Sequence, residues 1–71
     1  MSDLDRRLLA AHAAGDLPCL AALYAEAAET AAREEAAGFY LTHAYVYALD
    51  AGLAQAQAYR ARLVEMGREE A

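Results

Sequence analysis

The residues Gly15-Asp16-Leu17-Pro18 constrain this chain more than any others. A glycine after a run of helix formers ends a helix in the left-handed C′ conformation, which costs glycine nothing. Asp16 then has the side chain of an N-cap, and Pro18 falls in the first helical turn, where its missing N–H is harmless. One helix closes and another opens within a few residues, so the two must run antiparallel as a helical hairpin.

The remaining residues fit the same plan. Alanine supplies nearly a third of the 71 residues, with Leu, Glu, Arg and Gln behind it, all strong helix formers. Glycines divide the chain into segments expected at about 3–14, 17–36, 39–51 and 53–67. In the first, Leu4, Leu8 and Ala11 recur on one face with Leu9 beside them. In the second, Leu20, Leu23, Tyr24, Ala27 and Ala31 form the inner face, and Glu29 to Arg33 is spaced as an i,i+4 ion pair. The stretch Glu34 to Gly38 is expected to contain the end of this second helix. The fourth carries Ala56, Tyr59, Leu63 and Met66 inward, Gly67 ends it, and Arg68-Glu69-Glu70-Ala71 reads as a frayed tail. The third segment is unusual. Phe39, Tyr40, Leu41, Tyr45, Val46, Tyr47 and Leu49 point almost all round a helical wheel; length, alanine content and the lack of a partner strand favour helix over strand. A helix apolar on every side is central in its domain or shared with another chain. Tyr40, Tyr45 and Tyr47 cannot all face one core, so at least one is expected at the surface or in an interface. The fold class is all-α, four helices as two antiparallel hairpins in a single domain spanning residues 1–71.

Charge and composition exclude several function classes. The net charge of −5, with Arg interleaved among Asp and Glu and no Lys, offers no basic stripe to nucleic acid or anionic membrane. No segment has the length and hydropathy of a membrane span, and the acidic Met1-Ser2-Asp3-Leu4-Asp5 start is unlike a signal peptide. Cys19 is the only cysteine, which rules out an internal disulfide and suits a reducing, cytoplasmic compartment. Arginine without lysine, together with abundant alanine, suggests a GC-rich bacterial genome.

Chemistry-bearing motifs are missing: there is no phosphate-binding glycine loop, no His-Glu-x-x-His, no Cys-x-x-Cys and no nucleophile elbow. No catalytic residue, metal ligand or cofactor is expected. Cys19 in a first helical turn reads as a small buried hydrophobe before it reads as an activated thiol. His12 and His43 lack a second ligand at i+3 or i+4. The alternative to a binding module is a small metal-binding or catalytic helical protein using His12, His43 and Cys19, which requires those groups to converge. A carboxylate-based nucleic-acid mimic would need its acids on one face, whereas here Arg separates them.

Residues 10–27, from Ala10-Ala11-His12-Ala13-Ala14-Gly15-Asp16 to Leu23-Tyr24-Ala25-Glu26-Ala27, resemble the centre of a tetratricopeptide repeat. Ala10, Gly15-Asp16, Leu20, Tyr24 and Ala27 fall at that family's spacings, and Leu41, Ala44, Tyr45, Gly52 and Tyr59 echo them. The chain is similar to a degenerate, two-hairpin version of the family. The residues alone also allow an unrelated four-helix or dimeric bundle. The resemblance implies a right-handed stack whose concave face binds a protein segment. Carried onto this chain, that face holds Asp5, Leu9 and His12 from the first helix, and Phe39, His43, Val46 and Tyr47 from the third, with Tyr40 adjoining. The expected function is therefore a non-enzymatic interaction module for a peptide segment or a second copy, with a homodimer possible. Burial against another chain, a second copy or a different protein, is suggested by the over-apolar third helix and by a repeat number below the roughly three usually needed for stability.

Overall fold

The computed structural model describes residues 2–69, and these contain four α-helices and no strand among the described residues. Helix α1 spans Asp3–Ala14, α2 Leu17–Thr30, α3 Glu34–Asp50 and α4 Gln55–Glu65. The chain folds as two hairpins, α1/α2 and α3/α4, joined most extensively through α2 and α3. None of these helices is long and apolar enough to cross a membrane.

The first hairpin forms as its local chemistry dictates. The Ser2 hydroxyl accepts a hydrogen bond from the Asp5 N–H at 3.1 Å and caps α1, whose first turn holds Asp3 and Asp5 against the positive end of the helix dipole. Gly15, at φ 64°, ends it in the left-handed region. The Asp16 carboxylate accepts from the Cys19 N–H at 3.2 Å and opens α2.

The boundary between α2 and α3 corrects the sequence reading. Helix α2 stops at Thr30, six residues before the expected end near 36, and α3 begins at Glu34 instead of 39. The Thr30 hydroxyl donates back to the Glu26 carbonyl at 3.2 Å, and Ala31 adopts extended backbone. Glu34 and Glu35 then occupy the first turn of α3, where the dipole favours carboxylates; at the C-terminus of α2 they would oppose it. Arg33 lies outside α2, so the expected i,i+4 pair with Glu29 is replaced by a loose 3.9 Å pair with Glu35. Gly38 does not stop a helix. It is buried within α3, and the side chain of Arg68 lies across it where a Cβ would otherwise stand. The tail expected at 68–71 lies partly outside the described residues.

Alanine dominates the core. Ala21, Ala48 and Ala56 meet in one cluster, Ala28, Leu41 and Leu63 in a second, and Ala11, Leu20 and Leu23 in a third. Leu41 and Leu63 are the largest fully buried side chains. Because the facing side chains are small, the helices form a thin plate, with Cα extents of 33 × 29 × 11 Å. Its accessible surface of 4460 Å² is nonetheless close to the roughly 4300 Å² expected of a folded monomer of 7.6 kDa. Helix α3 occupies the middle, with α2 on one side and α4 on the other. That position accounts for much of its apolar wheel. Tyr40, Tyr45 and Tyr47 are all half-buried, because α3 has two covered sides to place them on. The apolar residues left in solvent are others.

Two glycine substitutions should therefore move stability in opposite directions. Gly15→Ala forces a Cβ into left-handed backbone and should cost about 1 kcal/mol. Gly38→Ala relieves the entropic cost of glycine inside a helix, and only the exposed, flexible Arg68 must swing aside, so stability should hold or rise by about 0.5–1 kcal/mol. Thermal unfolding of the two variants checks this; a loss for Gly38→Ala matching that for Gly15→Ala would mean the Arg68 contact is structural.

Candidate functional site

Tyr24 is the centre from which the site is built. It projects from α2 between α1 and α3, and its hydroxyl lies 3.0 Å from Nε2 of His12 on α1. Its ring stacks on Tyr47 of α3 at 5.7 Å and an interplanar angle of 17°, and lies against His43 at 5.0 Å and Tyr40 at 6.3 Å. His12 also meets Tyr47 edge-on at 6.1 Å. Phe39 continues the row, 4.5 Å from His43 and 5.6 Å from Tyr40. Three helices are thus joined by one aromatic cluster.

Hydrogen bonding orients both imidazoles. Nδ1 of His43 lies 2.9 Å from the Phe39 carbonyl, which only accepts, so Nδ1 carries the proton and Nε2 is left for solvent or a ligand. For Tyr24, burial raises the phenol above its ordinary 10.0, with smaller contributions from Tyr47 and Tyr40. It therefore holds its proton further up the pH scale than a free tyrosine, while its hydroxyl is hydrogen-bonded to Nε2 of His12. An ion pair between Arg7 and Glu26 at 2.7 Å provides a second tie between α1 and α2.

Solvent meets this cluster on the outer face of α3. Phe39 is 58% exposed, Val46 46% and Leu49 50%, while Leu9 on α1 is 58% exposed. Thr42, His43, Val46 and Tyr47 line a shallow hollow of about 200 Å³ on that face. Of the residues expected to bind a partner, His12, Phe39, Tyr40, His43 and Tyr47 are thus brought together in one cluster, with Val46 at its rim. Asp5 and Leu9 are exposed, and helical spacing sets them on the side of α1 that carries His12. Tyr47 is more embedded than a surface anchor, since it packs against two core clusters.

Tyr24, read from the sequence as ordinary packing, holds the cluster together. Its spacing marked it as inward-facing but could not show that three helices converge there. Leu49 was also missed as a surface residue. Its signal was present: Phe39, Thr42, Val46 and Leu49 recur at steps of three and four.

Cys19 takes no part. It is exposed, contrary to the buried reading, because it stands in the first turn of α2 beside a separate hollow lined by Arg7, Ala10, Ala14 and Asp16. Those α1 residues lie on the opposite side of the helix from His12. Among the described residues no three His, Cys, Asp or Glu side chains come together as a metal site would require, and no polar or charged side chain is buried. The arrangement offers aromatic faces, an imidazole acceptor and apolar edges. No family model matches the chain, and neither a curated protein nor a solved structure shows significant similarity to it.

The environment of Tyr24 has a measurable consequence. A phenol raised in the folded state loses its proton later than in the unfolded chain. The stability that this group contributes is therefore fully present below its unfolded-state value and falls as pH rises toward the raised one, since the unfolded state ionises first. Spectroscopic titration of tyrosinate should show one late-ionising group that Tyr24→Phe removes. Ionisation of all five tyrosines together, near the ordinary value, would contradict the cluster.

Proposed function

We propose that this chain is a small protein–protein interaction module of the tetratricopeptide-like, helical-hairpin kind, which engages a partner through the shared face of α1 and α3. The observation that carries the reading is the exposure of Leu9, Phe39, Val46 and Leu49 beside a covered aromatic cluster. Solvent-facing apolar groups gathered on one face mark interaction sites far more than singly scattered ones do. Here they stand on helices tied together by Tyr24, so the surface is pre-organised and little ordering entropy is spent on binding. Rigid rings flanked by imidazoles are the side chains that supply anchoring area at low entropic cost. The exposed thiol of Cys19 suits the reducing cytoplasm as the site of action.

The division between anchor and support gives a direct test. Phe39→Asp and Val46→Asp change exposed positions and should leave thermal stability within about 0.5 kcal/mol. Tyr47→Ala removes a half-buried ring from two clusters and should cost about 2–4 kcal/mol of folding. Quantitative affinity capture from the source cell should then retain proteins on the wild type that are lost on the stably folded Phe39→Asp and Val46→Asp variants. Identical capture by wild type and both variants would exclude this face as the binding surface.

A further inference from the structure

The core clusters divide the molecule unevenly. Ala21, Ala48 and Ala56 in one, and Ala28, Leu41 and Leu63 in another, all come from α2, α3 and α4. Among the described residues, no hydrophobic side chain of α1 packs in or against either cluster. Helix α1 enters only the cluster in which Ala11 meets Leu20 and Leu23, with Leu4 and Leu8 partly covered beside them. Among its described residues, Ala11 alone is buried. Helix α4 also stands at an edge, but Ala56 anchors it in one of the other two clusters and Leu63 in the second, so its departure would dismantle both. Departure of α1 dismantles neither.

The polar ties of α1 are of a kind that water replaces. The Arg7–Glu26 pair at 2.7 Å joins two side chains that are each nearly half exposed, and the His12–Tyr24 hydrogen bond of 3.0 Å also lies at the surface. Gly15 and Asp16, the two residues between α1 and α2, supply a hinge. Gly15 stands at φ 64° with no heavy atom within 4 Å of the place a Cβ would take, so no neighbour braces it on that side. Once detached, a helix of 12 residues is marginal by itself in water. We propose that α1 is a lid, which leaves α2 and melts as a unit while α2, α3 and α4 keep their packing. Opening carries Leu9 away from the α3 face and uncovers Leu20, Leu23 and Tyr24. That strip of α2 continues the face through Tyr47, which lies against the same cluster and lines the hollow beside Val46. The lid does not depend on what that face binds.

Native-state hydrogen exchange of the full chain, followed residue by residue by NMR at low urea concentrations, tests the lid. Amides 8–14 of α1 should be at least about tenfold less protected than amides 41–48 of α3. Their protection should also fall less steeply with urea, because lid opening exposes less surface than global unfolding. Leu63→Val is a conservative change in a cluster without α1; it should lower the protection of 41–48 by about fivefold and leave that of 8–14 unchanged. Protection of 8–14 equal to or above that of 41–48, with one shared urea dependence, would overturn the lid. So would a parallel loss in both segments for Leu63→Val. Either result would mean that α1 leaves only when the whole domain unfolds.

Discussion

Everything in this structure depends on the close packing of α2 against α3 through alanine. Ala21 and Ala28 of α2 and Ala44 and Ala48 of α3 are buried, and small facing residues let helices approach closely. Alanine buries little apolar area per residue, so the hydrophobic effect must find its area elsewhere. It finds it in rings at the margins of the contact: Tyr24, Tyr40, Tyr45, Tyr47 and Tyr59 are all half-buried beside the alanine and leucine clusters. The core is thin and its edges are aromatic. The same division leaves Phe39, Val46 and Leu49 outside, on the one arc of α3 that neither α2 nor α4 covers.

Tyr24 converts that packing into a surface. It touches His12 on α1 and His43 and Tyr47 on α3, so the relative position of the three helices is held by ring contacts as well as by the core. Helix α1 depends on this most, since its own buried side is small: Ala11 is buried, with Leu4 and Leu8 only partly covered. The Arg7–Glu26 pair and the His12–Tyr24 hydrogen bond supplement that modest area. The fold and the proposed recognition face therefore share residues: Tyr24 and Tyr47 are packed within the cluster, whereas Phe39 and Val46 stand mostly in solvent at its edge.

Where local chemistry decided the structure, the sequence was readable. Gly15, Asp16 and Pro18 located the first hairpin to the residue, and the spacings of Leu4, Leu8 and Ala11, and of Ala56 and Leu63, marked true inner faces. The second boundary was misread because Gly38 resembles a helix stop. Its placement inside α3 is non-local, with Arg68 lying across it, and the observed break suits the dipole preference of Glu34 and Glu35 for the first turn of a helix. The candidate site was legible as a set of residues on α1 and α3. It was not legible as a cluster, because its centre comes from α2 and periodicity within one helix says nothing about which rings from three helices meet. The crowded wheel of α3 read as a helix central in its domain or shared with another chain, and within this chain α2 and α4 pack on either side of it.

The central claim is that α3 is fully supported within one copy, leaving its outer face preformed and free. Sedimentation equilibrium paired with circular dichroism over a wide dilution series tests it most directly. The account predicts a monomer of 7.6 kDa whose helicity is unchanged on dilution. Helicity that falls as the protein is diluted, in step with dissociation of a dimer, would contradict it and make the α3 face part of a core completed only by a second copy.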